Sequence, residues 1–262
     1  MDLATVLGLG LALAVIAAVM ILDGGSPAEL FVVPQAILLT LGGSLVASMA
    51  TVPLSGVTNL PKYFKAAFLP KKEKHGEMID SICKMADKAR REGLLALEEE
   101  SKKIHDPFLR KGIMLVVDGV EPAQVRTILE VEIEHMVERH AVGIGYFNTA
   151  GGFAPTFGII GTVMGLIVVL KELTNPEKLA KSIASAFLAT LWGLLSANLI
   201  WMPIAGKLAF RSHEEAAFRH MLVEGIISLQ AGENPRLIRE KLYAFVSPKE
   251  RVPEKEAGKK GK

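Results

Sequence analysis

The chain is poor in the residues that carry out covalent chemistry. Among its 262 residues there is one cysteine, Cys83. A single cysteine excludes an internal disulfide and leaves no pair of thiols for a metal. Cys83 is expected to be a buried small residue and not a reactive thiol. There is no P-loop and no HExxH sequence. Gly143-Ile144-Gly145 is followed by Tyr146, Phe147 and Asn148, where a dinucleotide-binding turn needs its last glycine. All 6 histidines lie outside the long uncharged stretches, and His213 and His220 fit a solvated helix face better than a metal site. Aromatic residues make up 6%, and basic residues are mixed with acidic ones, unlike a nucleic-acid surface. These absences predict no catalytic residue, no cofactor, no metal and no nucleic-acid partner. No segment alternates as a β-strand would.

Charge is missing in a patterned way. Residues 3–22, 30–61, 141–170 and 182–206 contain no Asp, Glu, Lys, Arg or His. Half the residues are hydrophobic and the mean hydropathy is +0.34, too apolar for an ordinary soluble domain. About 20 helical residues cross the ~30 Å hydrocarbon core of a bilayer. The expected fold is therefore an all-α integral membrane protein with four transmembrane helices. The first of these lacks the basic flank and cleavage site of a signal peptide, so it is expected to stay in the mature protein. Of the 30 Lys and Arg, 15 fall in 62–139 and 12 in 207–262. The positive-inside rule then places both basic segments and both termini in the cytoplasm.

The expected organisation is as follows. Residues 1–61 hold transmembrane helices 1 and 2, the second running from about Phe31 to Val52 with Pro34 in its first turn. The stretch 53–61 is a turn or a short interfacial piece. Residues 62–140 form a cytoplasmic helical region, with Met78, Ile82, Met85 and Ala89 at helical spacing. Asp106-Pro107 and Glu121-Pro122 mark helix starts. Beyond the second start, Val125, Leu129, Ile133 and Met136 form an apolar stripe leading toward the third span. Residues 141–206 hold transmembrane helices 3 and 4. Residues 207–247 form C-terminal cytoplasmic helices, with a stop at Ala231-Gly232 and a start at Asn234-Pro235. Residues 248–262 are expected to be a disordered basic tail.

The third span, GGFAPTFGIIGTVMGLIVVL at 151–170, is built from small and weakly polar residues. On a helical wheel Pro155, Gly158, Thr162 and Gly165 share a face, and Gly161 with Gly165 has the spacing of close helix packing. The fourth span places Ser182, Ala186, Thr190, Gly193 and Ala197 on one face. With helix 3 running outward and helix 4 inward, Thr162 and Thr190 lie at the same depth, roughly 12 Å from the outer end. Two readings stand. The small residues serve helix packing and the threonines bond to their own backbones, or the two hydroxyls mark a level at which ions pass. On the second reading no group in these spans takes up a proton, so the ion-binding carboxylate comes from another polypeptide.

Three stretches, ARREGLLALEEE at 89–100, APTFGIIGTVMG at 154–165 and GENPRLIREKLYAF at 232–245, resemble the MotA family. This is the larger membrane subunit of the bacterial flagellar stator, in a superfamily with ExbB and TolQ. The resemblance runs from residue 1 to about 247. It implies a homo-oligomer, a ring of five copies, in the bacterial inner membrane. A MotB-type single-span protein at its centre would carry the membrane aspartate. The transported ion would be H+ or Na+, and its flow would turn the ring against the rotor protein FliG. Arg90 and Glu98 match the residues that face the rotor. Pro155 and Pro203 match the conformational hinges, and Thr162 and Thr190 match positions on the ion pathway. Solvated surface charge and structural kinks are the plainer readings of the charged pair and the prolines. The nearest rival function is an ExbB- or TolQ-type energiser of a periplasm-spanning partner. Such relatives usually have three spans, against four expected here. A self-sufficient channel and an ion-inert membrane scaffold are the rivals from other classes.

Overall fold

A computed structural model of the protein describes residues 3–69, 75–171 and 176–248. The tail beyond 248 lies outside the described residues. Every element is helical, with no strand among the described residues. Helix α1 spans Leu3–Leu22. A 3₁₀ turn at Pro27–Phe31 follows, capped by the Ser26 hydroxyl and by Glu29, which accepts from the Ser26 N–H. Next come α2 (Pro34–Ile37), a π-helical turn at Leu38–Gly42 and α3 (Gly43–Met49). Helix α4 (Leu54–Thr58) occupies the stretch expected to be a turn or a short interfacial piece, and α5 (Leu60–Phe68) runs from its end into the region expected to be helical. Then come α6 (His75–Glu92), a 3₁₀ turn at Leu94–Ala96, α7 (Leu97–Ser101) and α8 (Pro107–Val117). Helix α9 runs unbroken over Pro122–Lys171. Helix α10 (Pro176–Ser196), a π-helical turn at Ala197–Trp201, α11 (Met202–Gln230) and α12 (Pro235–Tyr243) complete the chain.

Three helical stretches are long and apolar enough to cross a membrane: Thr5–Leu22, a part of Pro122–Lys171, and a part of Lys178–Gln230. The fourth apolar helix, Pro34–Met49, is shorter than expected. Composition gave 30–61 the length of a full span, but its prolines cut it. Pro34 sits at the first helical position, and Pro53 has an extended backbone with ψ 159°. The helix therefore starts at Pro34, not Phe31.

The chain divides into two compact units, residues 1–71 with 139–210 and residues 72–138 with 211–262. In the first unit, no residue of Thr5–Leu22 is buried. Aromatic donors tie α2 and α3 to the later helices. The Tyr146 hydroxyl donates to the Leu45 carbonyl at 2.6 Å, and Trp201 Nε1 donates to the Ser44 hydroxyl at 3.1 Å. Trp192 Nε1 donates to the Leu30 carbonyl, just before α2, at 2.7 Å. Rings also pack α5 into this unit, with Phe64 edge-on to Phe147 at 5.1 Å and Phe147 stacked on Trp201 at 6.2 Å.

The second unit has an aliphatic core built around Ile79, Ile82, Leu109, Leu129, Leu222 and Ile226, all fully buried. The stripe Val125, Leu129, Ile133 and Met136 faces this core. Its helix ends follow the local sequence signals. Asp106 accepts from the Leu109 N–H at 2.8 Å and Asn234 from the Arg236 N–H at 3.0 Å, while Gly232 takes φ +70° after α11. Cys83 is buried, and that burial pushes its thiol above the ordinary value. It is a packing residue.

Candidate functional site

The small residues of α9 and α10 bring two backbones together. A Cβ added to Gly193 would lie 2.8 Å from the Ala154 carbonyl oxygen and 3.0 Å from the Gly158 Cα. A Cβ on Gly158 would meet the Ala189 carbonyl oxygen at 3.0 Å and the Thr190 Cα at 3.1 Å. Gly161 and Gly165 face the Cβ atoms of Ala189 and Ala186, at 2.6 and 2.8 Å from an added Cβ. All four glycines therefore sit in one helix–helix contact. In lipid, association depends on such close approach because no hydrophobic force drives one helix onto another.

One helical turn beyond Gly158, the contact becomes polar. The Thr162 hydroxyl lies 3.1 Å from the Gly158 carbonyl of its own helix and 3.1 Å from the Ala186 carbonyl of α10. It also shares a short hydrogen bond with the Thr190 hydroxyl. A hydroxyl has one hydrogen to donate, so Thr162 satisfies one acceptor at a time. Two hydroxyls and two carbonyls thus converge where no carboxylate, amine or imidazole is present. Such a group offers oxygen lone pairs and holds no proton that titrates near neutral pH. By contrast, Thr40, Ser48 and Ser196 in the same unit donate to carbonyls of their own helices.

Pro155 lies within α9, half-buried. It removes the N–H that would bond to the Gly151 carbonyl four residues back. Pro203 lies at the start of α11, immediately after the π-helical turn Ala197–Trp201. A proline ring crowds the carbonyl four residues before it, and here that carbonyl, of Leu199, belongs to the π-helical turn. The two prolines are 48 residues apart and on different elements.

In the second unit, Arg90 and Glu98 are both exposed, on α6 and α7. They do not share one helical face, because Gly93, with φ +87°, ends α6 between them. Arg91 pairs with Asp87, and Glu98 has a loose ion pair with Lys102 at 3.8 Å. Behind them, Glu100 accepts from Lys88 and Lys103, and these bonds hold its carboxyl below the ordinary range.

Known proteins place these features in a family. Residues 100–221 match the sequence pattern of the MotA/TolQ/ExbB proton channel family. Motility protein A of Borreliella burgdorferi is 39% identical over 217 residues, covering 83% of this chain and 84% of the relative. The chain belongs to the MotA/TolQ/ExbB proton channel family. Two solved structures carry the likeness through the whole fold. MotAB of C. jejuni superposes with a TM-score of 0.89 at 31% identity, covering 95% of this chain and 97% of that one. The flagellar MotAB stator complex of Bacillus subtilis gives 0.84 at 33% identity, covering 98% of both chains. Within the family this chain is of the flagellar stator type, and its apolar helices make it an inner-membrane protein.

The second apolar helix also has a buried polar face. Thr40, Ser44 and Ser48 are fully buried, at four-residue spacing. That spacing is visible in the sequence of 30–61. The partner of Ser44, Trp201, is not readable from the sequence, since it lies 157 residues away.

Proposed function

We propose that this chain is the ring-forming subunit of a flagellar stator that passes ions down their gradient and turns the flow into torque. The observation that carries this reading is the oxygen cluster at Thr162 and Thr190, set between spans that contain no Asp, Glu, Lys, Arg or His. A pathway of this kind needs a charge it does not own. We assign that charge to a MotB-type single-span protein whose membrane aspartate lies against the cluster, inside a ring of five copies. Residues 141–206 line the pathway, and the ion is H+ or Na+. Pro155 and Pro203 act as hinges, where missing hydrogen bonds let the helices flex.

The chain crosses the membrane four times, the short helix Pro34–Met49 included. Residues 62–140 and 207–247 and both termini lie in the cytoplasm, on the side with the lysine and arginine excess. Arg90 and Glu98 meet the rotor protein FliG. Purification of the chain from its native membrane tests the partner assignment. It should bring down a single-span protein with a membrane carboxylate and a peptidoglycan-binding domain. Recovery of a homo-oligomer with no such companion, under conditions that preserve ion uptake, contradicts the proposal.

A further inference from the structure

Leu95 stands in the motif that carries Arg90 and Glu98, and the structure gives it no internal role. It is 75% exposed, more than any other large apolar side chain described in the second unit. The local geometry fixes this orientation. Gly93 turns the chain out of α6, and Leu94–Ala96 form a 3₁₀ turn. With three residues per turn, positions three apart lie on one side. Leu94 and Leu97 are such a pair. Leu97 is fully buried and Leu94 packs against the same core. Leu95 and Glu98 are the next such pair, and both point to solvent. The turn runs directly into α7, at whose end Ser101 is buried and its hydroxyl donates to the Glu98 carbonyl at 2.6 Å.

A single exposed leucine is ordinary on a protein surface. This one differs because it projects from the short turn that joins α6 to α7, and along the chain it is flanked by the exposed cation Arg90 and the exposed anion Glu98. Charges at the edge of an interface set encounter and orientation, whereas buried apolar anchors supply most of the affinity. Arg90 and Glu98 alone would give a contact that is steered but weak. We infer that Leu95 is the apolar anchor of this surface. Its occupant is a folded protein face with an apolar recess, flanked by an acidic side chain toward Arg90 and a basic one toward Glu98. The inference rests on the reading above that this surface meets the rotor, and it adds the residue that gives the contact its grip.

The test compares Leu95→Ala, Leu95→Asp, Leu95→Met and Arg90→Glu in swimming cells, with membrane level and ion uptake of the stator complex measured for each. Leu95→Ala should weaken rotor engagement at least about tenfold, as for a truncated anchor. Leu95→Asp should abolish swimming, and Leu95→Met should keep most of it. Membrane level and ion uptake should stay normal for all three. If Arg90→Glu stops swimming while Leu95→Ala and Leu95→Asp swim normally, the anchor is refuted and the rotor surface stands. If all four swim normally, the rotor surface fails and the anchor with it. If the Leu95 variants lose membrane level or ion uptake, Leu95 has a structural role and the inference is wrong.

Discussion

At Gly158 and Gly193 the backbones of α9 and α10 touch with no side chain between them. The atoms a methyl group would strike there belong to backbone, which cannot rotate away as a side chain can. Gly193→Ala should therefore cost about 1–3 kcal/mol in the stability of the folded unit, as overpacking does elsewhere. Gly206 is a fitting control, since nothing lies within 4 Å of an added Cβ. Gly206→Ala should leave stability unchanged or raise it slightly, because alanine favours helix. Thermal unfolding of the two variants in the same detergent compares them directly. Equal midpoints would mean that the close approach does not hold the helices together. The glycine pattern was legible in the sequence as a packing face. Which glycine met which was not, since opposing residues come from separate spans.

At the scale of the element, local signals read well and long-range ones did not. Asp106-Pro107, Glu121-Pro122 and Asn234-Pro235 each begin a helix where the sequence placed one, because a cap and a proline act within a few residues. The apolar stripe at Val125–Met136 was legible for the same reason, as a repeat along one helix. The two π turns were invisible, since an added residue in a turn leaves composition unchanged. The ends of the second apolar helix were misplaced because absence of charge outweighed its prolines. Ion pairs between elements were equally hidden. Arg126 of α9 donates to Glu224 of α11 at 2.6 Å, and that bond holds the Glu224 carboxyl below its ordinary value of 4.5. A lowered carboxyl stabilises the fold above its unfolded-state value, and the gain is lost as pH falls through the folded value. Amide exchange in the second unit should accordingly speed up as pH drops below about 4.5, once the intrinsic acid dependence of exchange is removed. Glu224→Gln should flatten that response. An unchanged response in the variant would show that the pair does not contribute.

For the whole molecule, charge is sorted by unit. The uncharged stretches fall almost wholly in the first unit, and most charged residues fall in the second. A channel that carried its own ion-binding group would place a carboxylate or an imidazole among its spans, at a cost in solvation. This chain places two threonine hydroxyls there instead. On the function proposed above, labour is divided: one polypeptide shapes the passage and another brings the charge. The most direct measurement is ion uptake into sealed vesicles under an imposed gradient, with the chain inserted alone or together with its single-span partner. Uptake should appear only with the partner and vanish when the partner's membrane carboxylate is made an amide. Equal uptake by the chain alone would contradict the account.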